Sequence, residues 1–279
     1  MDPFVSLQHL LPKQGLSRLV GMAAECSTRS GLMAPLARYA IGAFAKAYAV
    51  DMQEAERVAL SDYASFNDFF TRALRSGARP VADAPDVIVS PSDGRLGQHG
   101  KVDRGALIQA KGHRYSSADL LANAAYASEF EGGYFVTIYL APKDYHRVHA
   151  PDACTLTSAR YVPGELFSVN PRTEAGIPGL FARNERLVCE LRTAYGPLAL
   201  VMVGALIVAG IRAVWQDGAR PTRPATHSPV HFARGDELGH FRLGSTVVLC
   251  LPPGEYALTD GLAAGQALQM GQQLLRRLS

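Results

Sequence analysis

Lysine is scarce in this sequence: the five lysines lie at positions 13, 46, 101, 111 and 143, and every basic residue after Lys143 is arginine or histidine. Charged residues of both signs make up only 19% of the chain, and the formal net charge is +3. No basic run is long enough to follow a phosphate backbone, which argues against nucleic acid as a partner. A mild positive charge is compatible with a site on an anionic membrane surface.

Cysteines are few and isolated. Cys26, Cys154, Cys189 and Cys250 form no CxxC pair and have no histidine at zinc-ligand spacing. We therefore expect reduced, buried thiols, and neither a disulfide framework nor a metal site. The N-terminus also lacks the charged start, the compact apolar block and the cleavage site of a signal peptide. These absences predict a protein that faces the cytosol.

Long hydrophobic runs are missing as well. The longest uncharged apolar run, Leu198 to Ile211, is shorter than the roughly 20 residues that a membrane-spanning helix needs. Glycines interrupt it, and buried strands explain it better. With 48% hydrophobic residues, 26 glycines and 17 prolines, the 279-residue chain can bury a large core in a turn-rich fold that contains sheets.

The segments up to about Leu74 have helical patterns. Apolar residues predict a short helix that ends near Ala24, a second helical stretch from Leu32 to Ala59, and a third helix that Ser65 caps, with Asp68 in its first turn. Two roles are open for this apolar helical surface: it packs on the core, or it dips into a bilayer.

Strand patterns follow a connecting stretch that runs from Ser76 to Pro91. Segments rich in β-branched or aromatic residues are Val87 to Val89, Ala106 to Ala110, Tyr134 to Leu140, Cys154 to Tyr161, Leu187 to Thr193, the Leu198 to Ile211 run and Thr246 to Leu251. No helices alternate with them, so we predict an α+β fold. An N-terminal helical region, residues 1–75, precedes a mainly antiparallel β sandwich or barrel-like catalytic core, residues 76–279. The tail after Leu258 fits either turns of the sandwich or, from Leu262, a helix.

Three short segments place polar residues beside apolar strands. Ser90 to Gly94 puts Asp93 in a tight turn, Asp144 to Pro151 contains two histidines, and Leu243 to Thr246 puts a serine at the start of a strand. Each segment has an ordinary structural explanation on its own, since Asp-Gly turns and strand-edge serines are common. Together they supply an acid, a base and a hydroxyl, the set that makes a serine oxygen nucleophilic.

The surroundings of Ser245 indicate what it attacks. A hydrolase more often holds its serine in a GxSxG elbow between strand and helix, and the sequence has none at Ser245. Gly244 instead allows strained backbone geometry beside the serine, which suits attack on the preceding peptide carbonyl. His146 and His149 lie three positions apart in an extended segment, which favours two separate roles over one shared metal.

These segments, in this order, resemble the phosphatidylserine decarboxylase family. The resemblance extends from about residue 10 to about residue 272 and includes Phe69 to Arg72, Pro163 to Asn170, Asn184 to Arg186 and Gly239 to Thr246. It implies self-cleavage between Gly244 and Ser245, which divides the chain into a β chain, residues 1–244, and an α chain, residues 245–279.

The same resemblance implies the site residues. Asp93, His149 and Ser245 are expected to form the self-processing triad. Ser245 is expected to become a covalent pyruvoyl group, which condenses with the substrate amine and accepts the electrons freed as CO2 leaves. We expect His146 to protonate the resulting carbanion, because imidazole titrates near the working pH. Ser168 is a candidate ligand of the substrate carboxylate.

The resemblance also implies partners and a location. The substrate would be phosphatidylserine in the membrane, converted to phosphatidylethanolamine. The α and β chains of one proenzyme would stay together, and a dimer of αβ units is one expected assembly. The helices within residues 1–75 would seat the enzyme peripherally on the cytoplasmic face of the cell membrane.

Three alternatives remain open. A serine hydrolase that uses Asp93, His149 and Ser245 on an external ester predicts an intact chain. A lipoyl- or biotinyl-type carrier needs a lysine at a hairpin tip, and no lysine follows Lys143. A pyridoxal phosphate decarboxylase needs a Schiff-base lysine in a larger α/β fold, and the sequence indicates neither.

Overall fold

The structure, a computed structural model, describes residues 13–206, 210–216, 229–242 and 245–278. Leu243 and Gly244 lie outside the described residues, and so does the side chain of Ser245, although its backbone is described.

Within the described chain, three helices and a 3-10 turn precede the sheets: α1 (Lys13–Ala24), α2 (Ala34–Ala47), the turn Leu60–Asp62 and α3 (Phe66–Phe70). The predicted start of α3 is confirmed, because the Ser65 hydroxyl accepts a hydrogen bond from the Asp68 backbone N–H at 3.1 Å. α2 is shorter than predicted. It ends at Ala47, and Ala49 follows with a positive φ of 51°, which turns the chain away from the helix axis.

These helices carry their own small aromatic core. Ile41, Tyr63 and Phe69 are fully buried there. The Phe44 ring meets the Phe66 ring edge to face, with centroids 5.1 Å apart. None of the helices in the described ranges is both long enough and apolar enough to cross a membrane.

The remainder of the described chain consists mainly of strands. In chain order they are β1 (Val87–Val89), β2 (Gly94–Lys101), β3 (Ala106–Ile108), β4 (Arg114–Ser116), β5 (Tyr134–Leu140), β6 (Arg147–His149), β7 (Cys154–Val162), β8 (Arg186–Thr193), β9 (Gly196–Gly204), β10 (Ile211–Ala213), β11 (Val230–Phe232), β12 (Glu237–Phe241), β13 (Ser245–Leu251), β14 (Glu255–Leu258), β15 (Ala267–Leu268) and β16 (Gln273–Leu278). Short helices lie between them: α4 (Ser117–Leu121), α5 (Ala124–Ser128), α6 (Pro171–Glu174), α7 (Leu180–Arg183) and the 3-10 turn Ala110–Gly112.

The strands form open antiparallel sheets. The largest has eight strands in the order β11-β7-β8-β9-β13-β5-β2-β15, and two three-stranded sheets have the orders β10-β12-β6 and β1-β16-β14. β3 pairs with β4. The predicted α+β class is confirmed, but the strands of the described ranges close no barrel.

Both faces of the eight-stranded sheet are covered. In β13, Val247 and Leu249 join one buried cluster, while Val248 and Cys250 join another on the opposite face. Such a strand is apolar at successive positions rather than at alternate ones. This explains why β5 and β13 are easy to predict from their sequence.

The structure departs from the sequence analysis at one predicted strand, decides one open alternative and adds one strand. The predicted Leu198 to Ile211 strand ends at Gly204, and a separate strand begins at Ile211. Of the two alternatives for the tail, the helix from Leu262 is excluded, since this segment forms β15 and β16 around glycines with positive φ at positions 265 and 271. β2 was not predicted because it is polar and glycine-rich. Its glycines have a packing role: a Cβ on Gly94 would lie 2.5 Å from the Tyr139 carbonyl oxygen on β5.

The cysteines are unpaired thiols. Cys154, Cys189 and Cys250 are buried as predicted, and burial raises the pKa of Cys154 and of Cys250 to about 12. Cys26 departs from the prediction because it is only half-buried.

Candidate active site

The start of β13 lies where the chain crosses from one sheet to another. In the eight-stranded sheet the Ser245 backbone pairs with Leu140 of β5 on one side and with Gly204 of β9 on the other. Four positions earlier, the Phe241 backbone N–H donates to the His146 carbonyl oxygen at 3.0 Å, in the sheet that contains β6. Four extended residues span at most about 14 Å. Ser245 therefore lies near the segment that carries both histidines.

His146 is completely buried. Its Nδ1 lies 2.8 Å from the Asp144 carbonyl oxygen, and its ring packs on Phe70 with centroids 4.1 Å apart. Burial lowers the pKa of His146 to about 3, and the positive charge of Arg72 acts in the same direction. The expectation that this imidazole titrates near neutral pH is therefore wrong.

His149 is also buried, and both of its ring nitrogens have partners. Nδ1 lies 2.8 Å from the Gly235 carbonyl oxygen, and Nε2 lies 3.0 Å from the Tyr145 hydroxyl. Burial lowers the pKa of His149, against the opposing effects of the Gly235 hydrogen bond and the negative charges of Glu237 and Asp93.

The two histidines share one tautomer. A carbonyl oxygen can only accept, so Nδ1 carries the proton in both rings and Nε2 keeps the lone pair. The His149 Nε2 accepts from Tyr145, whose own pKa is raised by burial. The His146 Nε2 has no partner in the described part of the chain. Each histidine thus presents an unprotonated Nε2 nitrogen.

Asp93 is held by an arginine. The Arg79 Nε and Nη2 donate to its two oxygens at 2.9 and 2.6 Å, and the Met270 backbone N–H donates to Oδ1 at 2.9 Å. Arg79 also binds Glu54 at 2.7 Å. Because both nitrogens of His149 are engaged elsewhere, Asp93 acts on His149 by its charge and not through a hydrogen bond. Arg79, in the connecting stretch, was missed because no local pattern distinguishes it from a surface arginine.

Ser168 belongs to a loop that is anchored beside Ser245. The Asn184 amide Nδ2 donates to the carbonyl oxygens of Phe167 and Gly204 at 2.8 and 2.9 Å, and Gly204 pairs with Ser245. The half-buried Ser168 hydroxyl accepts from the Asn170 side chain at 2.9 Å. The structure thus brings this loop to the same end of the sheet as β13.

Two cavities adjoin these residues. A polar cavity of about 220 Å³ is lined by Asp93, Tyr145 and several charged side chains. An apolar cavity of about 390 Å³ lies between α1, α2, α3 and the core, and Phe70, Pro142 and Leu206 line its inner side. Phe70 connects it to the site, because the same ring packs on His146.

The low pKa of His146 predicts a pH-dependent stability. The folded-state pKa is about 3 and the ordinary value is 6.5. The contribution of neutral His146 to the free energy of unfolding is therefore complete above pH 6.5 and is lost as the pH falls below that value. In a Ser245→Ala background we expect the free energy of unfolding to fall between pH 6.5 and 5 by about 1 kcal/mol per pH unit more than in the same background with His146→Asn. Urea unfolding at several pH values measures both slopes. Equal slopes would show that the folded protein leaves His146 free to protonate.

The chain is similar to known proteins over nearly its whole length. The family model described as phosphatidylserine decarboxylase matches residues 66–276, and a second, described as PSD, matches residues 3–49. The phosphatidylserine decarboxylase proenzyme of Pseudomonas putida (strain F1) is 48% identical over 281 residues, which cover 97% of this chain and 96% of the relative. The proenzymes of Ectopseudomonas mendocina and Pseudomonas aeruginosa are 47% and 46% identical over the same shares. Because these matches include the helices, the sheets and all three polar segments, the chain belongs to the phosphatidylserine decarboxylase family.

Proposed function

We propose that this decarboxylase cleaves its own chain between Gly244 and Ser245, converts Ser245 to a pyruvoyl group, and then turns phosphatidylserine into phosphatidylethanolamine and CO2. The observation that carries this proposal is the position of the Ser245 backbone. It begins a strand beside Leu140 and Gly204, a few residues from the point where Phe241 binds the backbone of His146.

For self-cleavage, the chain must remove a proton from the Ser245 hydroxyl. We assign this proton removal to the Nε2 lone pair of His149. The hydrogen bond from Nδ1 to the Gly235 carbonyl oxygen fixes the orientation of the ring. Tyr145 donates to that nitrogen in the structure, so its hydroxyl either moves aside or passes the proton on. The serine oxygen then bonds to the Gly244 carbonyl carbon, and the peptide C–N bond breaks to leave an ester. Elimination of this ester releases the carboxylate of Gly244 and leaves dehydroalanine at position 245. Water then hydrolyses the dehydroalanine to the pyruvoyl group and releases ammonia.

Asp93 completes the processing set by its charge. Its negative charge raises the pKa of His149 and favours the imidazolium that forms when the serine proton arrives. Arg79 and the Met270 N–H keep the carboxylate in place while this occurs.

A pyruvoyl group supplies an electrophilic carbonyl that accepts electrons as CO2 departs. The surroundings of β13 suit such a group, because the Thr246 hydroxyl and the His146 Nε2 are buried and have no partner within the described residues. At neutral pH His146 has no proton on Nε2 to give. We expect it first to accept a proton released by the substrate amine, and then to deliver it to the α-carbon.

The pairing of the strands after Ser245 supports chains that stay associated after cleavage. β13 lies between β5 and β9, β15 pairs with β2, and β16 pairs with β1, so each of these contacts joins the proposed α chain to the β chain. An ion pair of 2.8 Å between Arg277 and the buried Asp152 adds to them.

We also propose peripheral binding to the cytoplasmic face of the membrane through an apolar patch on α1, α2 and the loop between them. The patch consists of Leu19, Met22, Leu32, Met33, Leu36 and Tyr39, each between 48% and 97% exposed. A patch of this kind is typical of an interaction surface. The apolar cavity behind it extends to Phe70, beside His146.

The proposed cleavage is tested by intact mass. We expect the purified protein to give two chains whose masses correspond to residues 1–244 and 245–279 with a pyruvoyl start, and Ser245→Ala to give one inactive chain. Thr246→Ala is the matched control, because it also removes a hydroxyl from β13 and should still be cut. An uncut wild-type chain that decarboxylates phosphatidylserine would overturn the proposal. An uncut chain labelled at Ser245 by a fluorophosphonate would favour the serine hydrolase.

The two histidines are separated by their variants. His149→Ala should stay uncut, since it lacks the base for Ser245. His146→Ala should be cut but should decarboxylate about 10²–10⁴-fold more slowly, the usual loss for a proton-transfer residue. His99→Ala, on β2, serves as the control and should behave as wild type. A failure of His146→Ala to process would contradict this division of roles.

Membrane binding is tested on the patch itself. Leu32→Gln with Leu36→Gln should weaken co-sedimentation with phosphatidylglycerol and phosphatidylcholine vesicles by about tenfold or more, because each leucine contributes roughly 1.5–3 kcal/mol when buried. The control pair, Ile108→Gln with Leu278→Gln, lies on exposed strand positions outside the helices and should bind like wild type. Equal binding by both pairs would rule out this patch as the membrane surface.

A further inference from the structure

Arg72 is a buried cation that has no direct counterion within the described part of the chain. It follows α3, and only 4% of it is exposed. Its Nη2 donates to the Lys143 carbonyl oxygen at 2.9 Å, and its guanidinium lies 5.6 Å from the centre of the Phe69 ring. Its Nε and Nη1 have no partner among the described residues, and no described carboxylate lies within ion-pair distance of it.

Burying an arginine with idle donors is unfavourable unless an anion joins it. Burial lowers the pKa of Arg72, and Asp93, Asp144 and Glu54 oppose this only through space. These carboxylates already have partners. Arg79 binds Asp93 and Glu54, and Asp144 accepts from the Ala141 N–H at 2.7 Å.

Arg186 shows how this fold treats an arginine that has only a structural role. It is as deeply buried as Arg72, with 3% exposed. Its Nε, Nη1 and Nη2 all donate to backbone carbonyl oxygens, those of Leu120, Asn184 and Asp119. Arg72 has one such bond, so a purely structural role does not explain why this arginine is buried.

The position of Arg72 connects it with the reaction. It lines the 220 Å³ cavity together with Asp93 and Tyr145, and its charge lowers the pKa of His146. The exposed Arg95 and Lys143 line the same cavity and add positive charge, and Arg79 there is paired with Asp93 and Glu54. The remaining lining carboxylate, Asp51, accepts from the Gln53 N–H at 2.8 Å. An anion that enters this cavity meets the Arg72 side chain, two of whose nitrogens have no partner among the described residues.

We infer that Arg72 binds the phosphodiester of the phosphatidylserine headgroup. This inference rests on the proposed function, which supplies a substrate with two anionic groups. The carboxylate loses its charge as CO2 forms, so a cation held against it would stabilise the starting state more than the transition state. The phosphodiester keeps its charge throughout, and arginine is well suited to phosphate oxygens.

Substrate analogues that carry one anion or the other test the assignment. The Ser245→Ala chain is titrated by calorimetry with glycerophosphoserine, with glycerophosphoethanolamine, which lacks the carboxylate, and with O-methylserine, which lacks the phosphate. Adding Arg72→Gln should weaken binding of both phosphodiesters by at least tenfold and leave O-methylserine unchanged. Arg75→Gln, an exposed arginine three residues further along, is the control and should change none of them.

The cut enzyme provides a second readout. With phosphatidylserine in detergent micelles, Arg72→Gln should raise KM at least tenfold and leave kcat within about threefold, while Arg72→Lys should recover part of the loss because it keeps the charge. Chain masses show whether each variant is still processed. If Arg72→Gln fails to fold, the KM of Arg72→Lys is compared with that of Arg75→Gln, and an increase in the Arg72 variant alone supports the inference.

The outcomes distinguish this inference from the proposed function. A loss confined to glycerophosphoserine and O-methylserine would assign Arg72 to the carboxylate and overturn the inference. Equal behaviour of the Arg72 and Arg75 variants would also overturn it. If wild type releases no CO2 from phosphatidylserine, the proposed function itself fails, whatever the analogues bind.

Discussion

The two-sided pairing of β13 is the constraint on which the site depends. Its first residue, Ser245, pairs with the end of β5 and with the end of β9. β5 continues into the segment with His146 and His149, and β9 ends at Gly204, to which Asn184 ties the loop of Ser168. Three distant segments therefore meet at one end of one strand. The same pairing buries both faces of β13 and retains it in the sheet if the preceding bond is cut.

Burial then sets the chemistry of the polar groups at that end. Both histidines are held by backbone carbonyls at Nδ1 and have lowered pKa values, so each presents an unprotonated Nε2. Arg79 neutralises the buried Asp93, whereas Arg72 lacks an equivalent partner among the described residues. The fold gives each guanidinium nitrogen of Arg186 a backbone carbonyl as hydrogen-bond partner, so a buried arginine can be paired in this way. Within the described ranges the Nε and Nη1 of Arg72 and the Nε2 of His146 have no partner, and we propose that a substrate supplies these contacts.

The N-terminal helices are joined to this site through several contacts. Phe70 packs on His146, Arg72 binds the backbone of Lys143, and Glu25 at the end of α1 pairs with Arg242. Arg242 lies two residues before Gly244. The surface proposed to meet the membrane is therefore attached directly to the residues around the proposed cleavage site. A lipid headgroup that arrives along α1 and α2 would meet the Phe70 ring, which lines the apolar cavity and packs on His146.

Local patterns in the sequence were sufficient for the strongly apolar strands and for the Ser65 cap, because these depend on neighbouring residues alone. The proposal of Asp93, His146, His149 and Ser245 as site residues needed the family resemblance as well. Local patterns did not predict β2, which is polar and glycine-rich, since its glycines are needed only for close pairing with β5. Local patterns also failed to predict three features of the site: the hydrogen bonds from Arg79 to Asp93, the Gly235 and Tyr145 partners of His149, and the low pKa of His146. Each of these depends on burial and on contacts between residues far apart in the chain, which only the tertiary structure creates. The sequence thus determined which groups are available at the proposed cleavage site, and the packing decided which of them are charged, which are paired and which have no partner in the described part of the chain.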